Sequence, residues 1–142
     1  MLDNKTFKRV IRELGFQPVI DLFATRINNQ LPRFVSFRPD PDAEAIDAFT
    51  IPWGDLDFYA FPPFICIARI LQKIQLEEGM GIVIVPDWPN QPWYNRYQEM
   101  LITEIVLYPR DFQLRLPQEE EKRHPLSNHL RLRAGLLSAT AS

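Results

Sequence analysis

The run Gly81-Ile82-Val83-Ile84-Val85-Pro86 constrains the fold of this chain more than any other feature. Side chains on a strand point alternately to opposite faces, so a strand that is apolar at every position must be covered on both. Helices packed on a mostly parallel sheet meet that demand.

The flanking segments supply such helices. Phe64, Ile67, Ala68, Leu71 and Ile74 fall on one helical face that ends near Gly79. Leu56–Phe61 reads as the strand before it, with Pro62-Pro63 opening the helix where proline is tolerated. Trp93, Tyr97, Met100 and Leu101 mark a later helix face, followed by a strand-like Glu104–Tyr108. Near the start, Phe7, Val10, Ile11 and Leu14 predict a helix over about Asn4 to Leu14, with Gly15 as its left-handed cap. Val19–Phe23 is apolar apart from Asp21, as expected of a buried strand ending in a carboxylate. Arg33–Phe37 reads as a second strand and Asp42–Phe49 as a helical turn. The alternation implies an α/β fold with a mostly parallel sheet. In such sheets ligands lie beyond the carboxyl ends of the strands, where Asp21, Phe61-Pro62-Pro63-Phe64 and Pro86-Asp87-Trp88 all fall.

From Pro117 the character changes. Gln118–Arg123 is a charge run, and Ser127–Ser142 has weak helical periodicity, with a short helix expected at Leu130–Leu137. The expected organisation is one α/β domain over residues 1–116 and a charged linker or tail with a short helix over 117–142.

At 142 residues and 46% hydrophobic, the chain can bury one core but not two. No apolar run approaches the roughly 20 residues of a membrane span, and Met1-Leu2-Asp3-Asn4-Lys5 has no signal-peptide pattern, so a soluble protein with no membrane partner is expected. The lone Cys66 lies in an apolar stretch and reads as a buried thiol in a reducing, intracellular compartment, nuclear or cytoplasmic. A formal net charge of −2 argues against a strongly basic nucleic-acid grip, so DNA as a partner finds little support in the charge. His124 and His129 are too isolated for a metal site, and there is no glycine-rich phosphate loop. Ser36, Ser127 and Ser138 lack an evident base partner, and nothing selects a nuclease built from Asp21, Asp47 and Asp57.

Three groups could carry chemistry. Asp21-Leu22-Phe23-Ala24 is either a cofactor-approaching loop or a turn capped by its own Asp. Asp47-Ala48-Phe49 with Trp53 could hold ribose hydroxyls or an adenine amine, or be a helix-end Asp beside a core indole. Phe61-Pro62-Pro63-Phe64 occupies a strand-to-helix corner, where methylation of an exocyclic amine would need an oxygen acceptor and an aromatic to stack on the base. Phe64 can stack. Phe61 offers no acceptor, a loss worth about 2–4 kcal/mol of transition-state stabilisation by analogy with oxyanion donors. Trp88, Trp93 and Tyr94 form an aromatic cluster, either core or adhesive surface.

Taken in order, Asp21-Leu22-Phe23-Ala24-Thr25, Asn28, Gln30-Leu31-Pro32, Pro39-Asp40-Pro41, Asp47-Ala48-Phe49, Trp53, Tyr59–Phe64 and Pro86–Trp93 resemble the region that follows the ribonuclease H domain in polyproteins of DIRS-like, tyrosine-recombinase retrotransposons. That region is in turn similar to phage-type Dam N6-adenine methyltransferases, whose pattern runs D-x-x-A, N, D-A, W, N-P-P-Y. The retroelement resemblance covers roughly Leu2 to Leu116, and His124-Pro125-Leu126-Ser127 resembles the connector toward the recombinase. It implies a Rossmann-like three-layer sandwich, methyltransferase-like and open to truncation at this length. It also implies S-adenosylmethionine as cofactor, with Asp21, Phe23, Ala24 and Asp47 at the donor site and Phe61, Pro62, Pro63 and Phe64 as the amine-binding corner. Phe61 replaces the Asn, Phe64 replaces the Tyr, and the donor loop lacks glycine. These departures argue for a non-catalytic or residual domain whose cofactor has been lost, with neighbouring polyprotein domains as partners. The alternative is an active S-adenosylmethionine-dependent DNA N6-adenine methyltransferase.

Overall fold

The computed structural model describes residues 2–24, 28–36, 39–108, 115–116, 119–123 and 130–139. Thr25, Phe37, Gln118, His124, Ser127 and His129 lie outside the described residues.

Helix α1, Asn4–Leu14, has the expected limits. Asp3 caps it by accepting the Thr6 N–H at 3.1 Å and the Thr6 hydroxyl at 2.7 Å, an arrangement worth about 1 kcal/mol. Gly15 ends it at φ 65°, where a side chain would be strained. Helix α2, Ile67–Glu77, follows a 3-10 turn at Phe64–Cys66. The buried face of α2 is Ile67, Ile70, Leu71 and Ile74, while Ala68, on its flank, is exposed and Cys66 is half-buried. A short helix α3, Tyr94–Glu99, follows.

The central sheet has the order β1 (Ile20–Asp21), β4 (Asp57–Ala60), β5 (Met80–Pro86), β9 (Leu132–Ser138), β6 (Leu101–Leu107). Strands β1, β4 and β5 are parallel, whereas β9 runs antiparallel to both β5 and β6. Beyond β1, Phe34 bridges Asp21 in parallel. The Asp21 N–H donates to the Arg33 carbonyl at 3.0 Å and the Ala24 N–H to the Val35 carbonyl at 3.1 Å. Strand β2 (Val35–Ser36) therefore lies beside β1 and pairs in parallel with β3 (Ala45–Ile46), which occupies part of the expected helical turn. A separate antiparallel ribbon joins β7 (Arg115–Leu116) and β8 (Glu119–Arg123).

Strand β9 corrects the reading of residues 117–142 as a linker with a short helix. Leu132–Ser138 is a strand paired along its length with β5 and β6, inside the sheet of the domain thought to end at 116. The reason is nonlocal. Without β9, the edge of β5 would be left open, whereas in place it buries Leu132, Leu136 and Leu137, each worth about 1.5–3 kcal/mol.

Helices cover both faces of the sheet. Phe7, Val10 and Leu14 of α1 pack with Tyr59, Ile82, Ile84, Leu132 and Leu136 on one side. On the other, Ile67, Ile70 and Ile74 of α2 and Tyr94 and Tyr97 of α3 pack with Phe58, Val83 and Val85. The alternation along β5 is what its sequence demanded. Among the described residues no helix is long and apolar enough to cross a membrane.

Candidate functional site

After β1 the chain steps outward to β2, and after β4 it steps the other way to β5, so the sheet order reverses between β1 and β4. Loops leaving the carboxyl ends of two such strands diverge and leave a crevice between them. Asp21 closes β1 and Phe61 follows β4, which sets the first two sequence candidates on adjacent strand ends.

Aromatic contacts draw the other loops toward the same end. Phe23 meets Phe49 edge-on with centroids 5.8 Å apart, and Phe49 stacks on Trp53 at 5.9 Å. The Arg69 guanidinium lies over the Phe49 ring, 3.9 Å from its centroid. The loop after β1 and the turn after β3 are thereby joined to α2. Phe64 meets Trp88 edge-on at 5.1 Å, linking the diproline corner to the loop after β5. Phe64 packs against both cores and Phe61 against the α1-side core. Trp53 is fully buried, with its indole N–H donating to the Ala48 carbonyl at 2.9 Å.

The two carboxylates expected at a donor site are engaged by their own turns. Asp21 is buried, its Oδ1 accepting the Phe23 N–H at 3.4 Å and its Oδ2 the Gln30 N–H at 3.0 Å. Burial outweighs these two bonds and pushes its carboxyl up to about 6. Gln30 extends the tether by donating to the Leu2 carbonyl at 2.6 Å. Asp47 holds φ 68° and accepts the Phe49 N–H at 3.0 Å, capping the 3-10 turn Ala48–Thr50. Ala24 is buried, and Asn28 is half-buried. No residue of Phe61-Pro62-Pro63-Phe64 carries a side-chain acceptor. The corner can offer aromatic surface and the backbone carbonyls alone.

A second polar cluster escaped the sequence reading. Arg133 of β9 donates its Nε to Asp87 at 2.8 Å and its Nη1 to Glu104 of β6. Arg131 pairs with Asp87 at 3.0 Å, the Tyr97 hydroxyl donates to Glu104 at 2.8 Å, and the Tyr94 hydroxyl lies 3.3 Å from Asp87. The Arg133 guanidinium and the Asp87 carboxylate shift in opposite directions. Although burial opposes both shifts, the bonds and opposite charges hold Asp87 below and Arg133 above its ordinary value. Asp87 of the Pro-Asp-Trp loop thus clamps the antiparallel strand rather than lining the crevice. Its partners lie 44 and 46 residues downstream, beyond any local spacing signal. Trp93 and Tyr94 are core, whereas Trp88 is partly exposed and Ile65 is 93% exposed.

No protein-family model matches the chain, and no curated protein shows significant similarity to it.

Proposed function

We propose that this chain is a methyltransferase-like domain without transfer chemistry, belonging to a DIRS-like retroelement polyprotein and serving as a structural or binding module between its enzymatic neighbours. The observation that carries the reading is Phe61 at the strand end beside Asp21. The position lies at a reversal of sheet order, where the resemblance puts an amine-binding corner, and the side chain there accepts no hydrogen bond.

Further support comes from topology. With β2 and β3 beside β1, the strands run β3-β2-β1-β4-β5-β9-β6. The first five places follow the doubly wound order 3-2-1-4-5. One antiparallel strand, β9, is inserted before the last. Segments 22–34 and 37–44, where such a fold carries crossover helices, contain no assigned helix among their described residues, in line with truncation.

Donor binding would need carboxylates facing the crevice, and Asp21 and Asp47 instead hold backbone N–H groups. These residues do not fit S-adenosylmethionine as arranged. Calorimetric titration of the full chain with S-adenosylmethionine is expected to give no binding heat. Micromolar binding accompanied by methyl transfer to adenine in duplex DNA would overturn the proposal in favour of an active enzyme.

A further inference from the structure

Charge on α1 is distributed unevenly. The helix carries Lys5, Lys8, Arg9 and Arg12 against a single carboxylate, Glu13, in a chain of formal net charge −2. At 100° per residue the four cations fall within a ~100° arc, opposite the buried residues Thr6, Phe7, Val10 and Leu14. Arg9 pairs with Glu13 at 2.8 Å. Lys5, Lys8 and Arg12 are exposed and have no ion-pair partner among the described residues.

We propose that the outward face of α1 binds the phosphate backbone of a nucleic acid through Lys5, Lys8 and Arg12. The three positions span ~10 Å of helix axis, and a duplex presents about six phosphate charges over that length. A protein partner would leave a different imprint, since protein interfaces are built around buried aromatic or aliphatic anchors. None of the exposed large hydrophobics, which include Ile65 and Trp88, lies on α1. Asp3, which caps the start of α1, and Glu13 are the carboxylates nearest in sequence to the three cations, and charges more than ~10 Å away are screened at 0.1 M salt. Packing of α1 against the sheet fixes the three cations on one rigid element, which limits the ordering cost to the side chains. The site does not depend on any methyl donor.

The test is fluorescence anisotropy of the full chain with a labelled ~20-bp duplex of mixed sequence, titrated at about 50 and 200 mM NaCl. Three neutralised phosphates predict a slope of log K against log salt near −2.7, or about forty-fold weaker binding at the higher salt. The Lys5→Glu/Lys8→Glu/Arg12→Glu variant is expected to bind at least ten-fold more weakly at low salt with an unchanged melting temperature. Lys5→Arg/Lys8→Arg/Arg12→Lys is expected to bind as wild type. The proposal is overturned if wild type does not bind at low salt or if the charge-reversed variant binds equally well. Competition by poly-glutamate as effective as by duplex would assign the face to an acidic protein instead and overturn it too.

Discussion

Asp21 and Tyr59 stand opposite each other on the parallel neighbours β1 and β4, both buried, and the enclosed Tyr59 hydroxyl has no hydrogen-bond partner among the described residues. Parallel register partners point to the same face of a sheet, here the face covered by α1, where Phe7 meets the Tyr59 ring edge-on at 4.7 Å. Burial, then the nearby charges of Asp21 and Asp3, pushes the Tyr59 hydroxyl far above the usual tyrosine range, so it remains protonated. Two polar groups are thus enclosed beneath α1, one satisfied by backbone and the other unpaired.

The carboxyl of Asp21 makes stability depend on pH in an uncommon direction. Its native value of about 6 lies above the ordinary 3.8, so the native state holds the proton more tightly than the unfolded chain. Its contribution is full below the ordinary value and is lost as pH rises through about 6. A gap of that size corresponds to roughly 3 kcal/mol. Urea unfolding is expected to show a lower midpoint at about pH 7.5 than at about pH 4.5, with Asp21→Asn flattening the difference. Equal wild-type midpoints at the two pH values would refute the assignment. Asp87 and Glu77, both held below their ordinary values, act in the opposite sense and at lower pH.

Removing the unpaired hydroxyl should help. Tyr59→Phe keeps the ring against Phe7 while deleting a buried polar atom with no partner, and a stability gain of about 1 kcal/mol is expected. Thermal unfolding measures it directly, and a lower melting temperature would show that the hydroxyl is satisfied in solution.

Gly135 sits under Tyr97 for want of space. A Cβ there would lie 2.3 Å from the Tyr97 hydroxyl oxygen and 2.8 Å from its Cζ, both backed by the packed α3. Gly135→Ala is expected to cost about 1–3 kcal/mol as overpacking. Adding Tyr97→Phe relieves the nearer contact, so the double variant should be more stable than Gly135→Ala alone. A double-mutant cycle with no coupling between the two positions would contradict this.

Arg133 is the cation shared by Asp87 and Glu104. Arg133→Met leaves Glu104 without its cation and Asp87 with Arg131 alone, and a loss of about 3 kcal/mol is expected for a broken, mostly buried pair. Because Asp87 would also lose the bond that holds it low, its carboxyl should titrate at higher pH in the variant, as read by NMR of the side-chain carbon. An unmoved Asp87 titration would assign its depression to Arg131.

Local patterning was enough to write α1, α2 and β5, because a helix face at 3.6-residue spacing and a wholly apolar run each report burial by residues close in the chain. Asp21 and Phe61 were likewise legible as strand-end residues, and that the Phe61 side chain carries no hydrogen-bond acceptor is a fact of sequence alone. The role of Asp21 was not legible. Whether its carboxylate faces a ligand or its own loop depends on where Gln30 is brought, and spacing says nothing of that. Residues 132–138 show the same limit more strongly. Their apolar positions alternate with Arg133 and Gly135 too briefly to separate a strand from a helix, and the edges of β5 and β6, far earlier in the chain, decide the matter. What sequence by itself determined is which segments must be buried. The tertiary structure decided which of them pair, because strand pairing is satisfied by backbone groups that every residue carries.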